Sequence, residues 1–206
     1  MLPILLALFF FGVIHSLMAG YRAKHAFRRR FGDRAYHGLY RLVYNIIAAI
    51  SLMPVTLLLL LPPSPIVWQL EGPAALLLLA LQGVGALGLL VSLMQIDLGR
   101  FLGLSQLVAY LRGDPLPLPP ESLQEGGVYK LVRHPLYLFS LLLIWPQAIM
   151  TQGLLAFNIG ATLYFVIGSR LEEQRMIRVF GDQYQAYRQR VPWLVPLPVF
   201  FNSTLT

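Results

Sequence analysis

The 206-residue chain has no cysteine, which excludes disulfides, thiolate metal sites and a cysteine nucleophile. Charge is scarce as well: Asp, Glu, Lys and Arg make up 12% of the residues, about half the share usual in soluble domains. Acidic residues are the scarcer sign, nine against sixteen Lys and Arg, and the net charge is +7. What fills the chain instead is apolar: 57% hydrophobic residues and a mean hydropathy of +0.64. A soluble domain of this length has too little interior to hide so much apolar surface, so part of its solvent is lipid.

The apolar residues come in runs. Residues 1–19 are close to the ~20 residues a helix needs to cross hydrocarbon. A cleaved signal peptide carries its basic residues before the apolar run, whereas here they follow it, which favours a retained helix. A second run covers about 39–61 and stops at Pro62-Pro63, and a third covers about 74–96. The stretch 97–135 is polar and proline-rich. Residues 136–170 are apolar but interrupted at Pro146 and Gly153, which reads as two helices in a hairpin. The polar tail 171–190 is compatible with a cytosolic amphipathic helix, ended by Pro192 and Pro196. By length the chain is one membrane domain, residues 1–206, of all-α class with about five transmembrane helices. It divides into three N-terminal helices (1–96), a cytosolic connector (97–135), and a helical hairpin with its tail (136–206).

With five spans, residues 20–41, 97–135 and the C-terminal tail fall on one side of the bilayer. They carry seven, four and, counting Arg170 at the edge of the tail, five Lys or Arg, which accounts for all sixteen; the two opposite connections carry none. Positive charge collects on the cytosolic side, so this pattern predicts a multi-pass protein with its N-terminus outside and its C-terminus in the cytosol. It also explains the basic balance without nucleic acid, and leaves some affinity for anionic lipid as a by-product.

Two familiar patterns are set aside. Gly83, Gly85 and Gly88 satisfy G-x-G-x-x-G, but within an apolar helical run rather than between a strand and a helix, so close helix packing is the better reading. Gly99 and Gly103 are read the same way. The four histidines, His15, His25, His37 and His134, show no ligand spacing, so no metal site is expected. His15 lies within the first apolar run, and Arg41 and Asn45 share one face at the start of the second. Polar groups at that depth turn to the bundle interior; these three are candidates for positioning a substrate.

The densest chemistry is in the C-terminal third. GGVYKLVRHPLY precedes the hairpin and EEQRMIRVFGDQYQAYRQRVPWLVP follows it. Pro135 suits the first turn of a helix, where its missing N–H is harmless. A hairpin returning to the same face brings Arg133, His134 and Tyr137 beside Glu172 and Glu173. Such a cluster is either a small-ligand site of mixed charge or a solvated helix end with charge pairs of little individual worth. The residues alone leave both readings open.

R-H-P-x-Y, then E-E-x-x-[LM]-x-x-x-F-G-x-x-Y-x-x-Y-x-x-x-V-P after an apolar hairpin, resembles the isoprenylcysteine carboxyl methyltransferase and phospholipid methyltransferase superfamily. Here these positions are Arg133-His134-Pro135-Leu136-Tyr137, then Glu172-Glu173, Met176, Phe180-Gly181, Tyr184, Tyr187 and Val191-Pro192. Phe139 departs from the glycine many relatives carry there, which bears on the shape of the acceptor pocket. The N-terminal half, with His15-Ser16 and Tyr40-Arg41…Tyr44-Asn45, is similar to the methanethiol S-methyltransferase and NnrU-like branch. The resemblance implies S-adenosylmethionine as cofactor, held by His134, Tyr137 and Glu173, then Arg133 and Glu172, with Lys130 and Tyr187 as outer candidates. It implies methyl transfer to a small or lipophilic acceptor, a thiol or carboxylate, reached from the bilayer. Its alternative is a haem-binding, isomerase-like membrane protein related to the NnrU branch and plant ζ-carotene isomerases, with His15 or His134 on iron.

Overall fold

The computed structural model describes residues 1–61 and 64–197. In chain order its elements are α1 (Leu2–Ala19), α2 (Tyr21–Leu60), β1 (Ile66–Gln69), α3 (Gly72–Met94), α4 (Leu98–Leu102) and α5 (Leu104–Arg112). A 3-10 turn (Gly127–Lys130), α6 (Pro135–Ile144), β2 (Ile149–Thr151), α7 (Gln152–Phe180) and α8 (Asp182–Arg190) follow. The fold is mostly helical, and β1 and β2 pair as a two-stranded sheet.

The helices α1, α2, α3 and α7 are long and apolar enough to cross a membrane. Large apolar side chains such as Phe9, Phe10 and Leu17 on α1 and Leu76, Leu77 and Leu87 on α3 stand exposed, as lipid-facing surfaces do. This is an integral membrane protein. The first arm of the expected hairpin is shorter than a span. With 10 residues, α6 rises only about 15 Å, half the thickness of the hydrocarbon. It stops just ahead of Pro146, whose ring and missing N–H cannot continue a helix. The second arm, α7, runs on without a break past the apolar stretch 152–169 into the polar segment that carries Glu172 and Glu173.

The chain forms two compact units, the first comprising Met1–Ile66, Asp97–Glu121 and Thr151–Gly160. In it α1 packs on α2, and α2 on α4 and α5. Close approach is bought with glycine: a Cβ at Gly38 would lie 2.6 Å from the Tyr110 side chain, and one at Gly103 2.5 Å from the Leu42 backbone. The Tyr40 hydroxyl donates to the Met18 carbonyl at the end of α1 (2.5 Å).

The second unit comprises Val67–Ile96, Ser122–Met150 and Ala161–Thr206. Its main seam is α3 against α6, and here the rejected glycine fingerprint shows its use. A Cβ at Gly85 would come within 2.7 Å of the Leu143 backbone nitrogen, and Gly88 receives the Phe139 ring. Phe139 is buried in that seam. Beyond α7, Gly181 (φ 53°, ψ −127°) turns the chain where a side chain would strain it, and α8 folds back. Tyr184, Tyr187 and Val191 then close an apolar cluster with Leu123, Met176, Ile177 and Phe180.

Candidate active site

Two stretches distant in sequence meet in the second unit: the turn that opens α6 and the polar length of α7. The opening of α6 is fixed locally. Pro135 takes the first helical position, and the His134 carbonyl accepts from the N–H groups of Tyr137 (3.1 Å) and Leu138 (3.0 Å). It is also fixed from the tail, because Arg133 N–H donates to the Pro192 carbonyl (2.9 Å) and His134 N–H to that of Trp193 (3.3 Å). The V-P-W end of the motif is thus a backbone partner for the R-H beginning.

Arg133 is the hinge-pin of this arrangement. Its Nε donates to Glu173 Oε1 (2.6 Å), while Nη1 donates to the carbonyls of Arg188 (3.1 Å) and Val191 (2.9 Å). Those two carbonyls close the C-terminal end of α8, where a helix leaves acceptors without intrahelical partners and favours a cation. Glu173 is buried and surrounded by positive groups. Besides Arg133, Arg188 Nε lies 3.5 Å from Oε2 and His134 Nε2 lies 3.5 Å from Oε1.

Glu172 points the other way. It is about half exposed, accepts from the Tyr137 hydroxyl (3.0 Å), and lies 3.6 Å from His134 Nδ1. His134 therefore stands between two carboxylates. Burial pulls its pKa down, but the two carboxylates outweigh this and hold it above the ordinary histidine value. Its ring stacks on Tyr137 (centroids 5.4 Å apart, planes 4° apart), and Tyr137 stacks in turn on Phe165 (5.0 Å, 12°).

Of the residues singled out from sequence, Arg133, His134, Tyr137, Glu172 and Glu173 come together. Tyr187 is engaged nearby: its buried hydroxyl donates to the Tyr129 carbonyl (2.5 Å), which ties α8 to the 3-10 turn. Burial and the neighbouring Tyr184 push its pKa upward. Lys130 ends that turn with its side chain exposed and no ion pair among the described residues. His15, Arg41 and Asn45 belong to the first unit, where each has partners. Arg41 Nε donates to the Phe101 carbonyl (2.9 Å), and Asn45 Nδ2 to those of Phe101 (3.0 Å) and Leu102 (2.9 Å), so both hold the end of α4. His15 Nε2 is hydrogen-bonded to the Tyr44 hydroxyl.

Phe165 and Arg188 were missed by the sequence reading. Phe165 could have been found, because it precedes Glu172 by seven residues and shares its helix face. Arg188 carries no such signal: it reaches Glu173 only because Gly181 reverses the chain.

A family model described as phospholipid methyltransferase matches residues 74–183. Methanethiol S-methyltransferase 2 of Bradyrhizobium diazoefficiens is 35% identical over 192 residues, 93% of this chain and 71% of that protein. Methanethiol S-methyltransferase of Mycobacterium tuberculosis is 31% identical over 189 residues, 91% of this chain and 75% of that protein. Protein-S-isoprenylcysteine O-methyltransferase of Schizosaccharomyces pombe is 39% identical over 83 residues, 36% of this chain and 33% of that protein. No solved structure matches the chain significantly. The spanning helices and these relatives define a membrane-embedded methyltransferase. The chain belongs to the phospholipid methyltransferase family.

Proposed function

We propose that the protein methylates a small thiol with S-adenosylmethionine, which is held at the cytosolic face by the cluster around His134, Tyr137 and Glu172. The observation that carries this reading is the meeting of the R-H-P-x-Y turn with the E-E pair of α7. The residues present fit the cofactor. Glu172 offers a half-exposed carboxylate to its ammonium group. A shallow depression lined by Arg133, Arg188, Gln185 and Gln189 offers cationic and amide donors to its carboxylate. Arg133 Nη2 makes no hydrogen bond among the described residues, and the Phe165 ring, at the end of the stack that has Tyr137 in its middle, suits an adenine or a cation. His134 Nε2 is buried 3.5 Å from Glu173 Oε1, so that carboxylate holds the ring in place beside the site.

When bound, S-adenosylmethionine supplies a methyl group on a positively charged sulfur, open to a nucleophile. The work of the chain is to orient and desolvate the reactants. Glu173 is spent within the protein and acts by positioning Arg133 and His134, while Glu172 and Tyr137 face outward to ligand. His15, Arg41 and Asn45 keep a scaffold role. The acceptor is read as a thiol because relatives at 31–35% identity bear the name methanethiol S-methyltransferase. Its orientation rests on the charge pattern, with every Lys and Arg in segments assigned to the cytosolic side.

The test is a methyl-transfer assay with labelled cofactor against methanethiol, longer thiols, farnesylcysteine and phosphatidylethanolamine. Label in the methanethiol product supports the reading. Transfer only to farnesylcysteine or phosphatidylethanolamine would overturn the acceptor. A Soret band without binding of S-adenosylhomocysteine would overturn the cofactor.

A further inference from the structure

The α2 helix is two helices in one. At Gly32 the backbone takes φ 82° and ψ 168°, outside helical space and in a region only glycine enters freely. Residues 21–31 thus form an arm of their own, placed by the chain itself. The spanning helix α1 ends at Ala19, only Gly20 intervenes, and the next apolar run begins near Leu39. The arm therefore occupies the headgroup zone of the bilayer.

Its faces are unequal. Ala23, Lys24 and Phe27 are partly buried and share one side, where Phe27 meets Tyr40 edge-on (centroids 5.1 Å apart) and Phe31 (4.7 Å). Arg22, Arg28, Arg29 and Arg30 are exposed. Arg28 is paired with Asp33, the one acidic residue between 20 and 41. Arg22, Arg29 and Arg30 have no carboxylate partner among the described residues. Arg22 and Arg29, seven apart, stand in one row two turns apart, and Arg30 adjoins them. Three exposed guanidinium groups at headgroup depth match lipid phosphates, which they can bind bidentately.

We propose that residues 21–31 are an interfacial arm that docks on anionic phospholipid headgroups through Arg22, Arg29 and Arg30, turned out of the spanning helix by Gly32. The occupant is the headgroup of the bilayer in which the protein sits. Each arginine near an anionic leaflet is worth about a fivefold change in partition.

The test uses the full-length protein in nanodiscs of phosphatidylcholine with and without phosphatidylglycerol, with lipid retained after detergent exchange counted by native mass spectrometry. The wild type should retain phosphatidylglycerol over phosphatidylcholine. The variant Arg22→Gln/Arg29→Gln/Arg30→Gln should lose that preference by about tenfold or more, with its circular dichroism unchanged. Equal retention by a folded variant overturns the proposal, as does displacement by inorganic phosphate at concentrations matching the lipid. Because there is no native cysteine, a nitroxide at Ala26→Cys gives a second reading on the otherwise unaltered arm. Its line shape should broaden with phosphatidylglycerol and sharpen again with salt, and a line shape indifferent to the lipid also overturns it.

Discussion

Glu173→Gln removes a charge and almost no volume, so its consequence depends on what that charge was holding. The Arg133 and Glu173 side chains are only 10% and 8% exposed, at 2.6 Å. Without the carboxylate, the Arg133 guanidinium stays buried against two carbonyl dipoles, a situation that typically costs about 3–5 kcal/mol. For a chain of this size, each kcal/mol moves Tm by about 2–4 °C, so a fall of roughly 6–20 °C is expected in detergent. Glu172→Gln is the control. Its side chain is 45% exposed and accepts one hydroxyl, so about 1 kcal/mol is at stake. Binding of S-adenosylhomocysteine should rank them in reverse for the folded proteins: Glu172→Gln weakens it while leaving Tm nearly in place. A paired change, Arg133→Met with Glu173→Met, should recover part of the lost stability, since no buried guanidinium is left unpaired, but not the hydrogen bonds to the Arg188 and Val191 carbonyls. The assay is a thermal melt of all four proteins. If Glu173→Gln melts within about 2 °C of wild type, the buried network described here does not carry the fold of the tail.

His134, held above the ordinary histidine value by Glu172 and Glu173 against the opposing effect of burial, gives a stability that depends on pH. A raised folded-state pKa stabilises fully below the ordinary value of about 6.5 and fades as pH climbs through the folded value. The wild-type Tm should therefore fall above about pH 6.5 relative to His134→Asn; parallel melting curves would refute the pairing. Gly85→Ala places a Cβ 2.7 Å from the Leu143 backbone and should cost about 1–3 kcal/mol by overpacking, whereas Gly83→Ala meets open space and should be tolerated; equal melts would disprove the seam. A single cysteine at Glu71, an exposed position between β1 and α3, should react with a membrane-impermeant maleimide from outside intact cells. Protection until lysis would invert the proposed orientation.

The spans were legible because each is an apolar run of the right length, and a run needs no partner to be recognised. Runs 1–19, 39–61 and 74–96 correspond to α1, the later part of α2, and α3. The short α6 was not. Pro146 marks its end in the sequence, but both arms of the hairpin read as spans, whereas the first is only 10 residues long. The break at Gly32 was equally hidden, because the residues on either side are helix-compatible and only the backbone conformation at one glycine divides them.

That the R-H-P-x-Y turn and the E-E pair meet was legible, but not how they are wired. R-H-P-x-Y and E-E can be read as neighbours from the hairpin, since both flank it on the same side. From residue types alone, however, Arg133 looks like a ligand for the cofactor carboxylate and Glu173 like one for its ammonium. In the folded chain these two bind each other, and Arg133 also holds the carbonyls at the end of α8, which leaves only its Nη2 for a ligand. That follows from Gly181, which returns the chain so that the tail supplies Arg188, Val191, Pro192 and Trp193 to the opening of α6. The distance in sequence between Arg133 and Val191 therefore measures a structural dependence: a ligand that engages Glu172 and Tyr137 is met by a cluster whose geometry is set by the tail. Loss of the tail's contacts with the opening of α6 should loosen the site before it unfolds the spans, because those contacts pass through the Arg133 guanidinium and two backbone hydrogen bonds rather than through the α3–α6 seam.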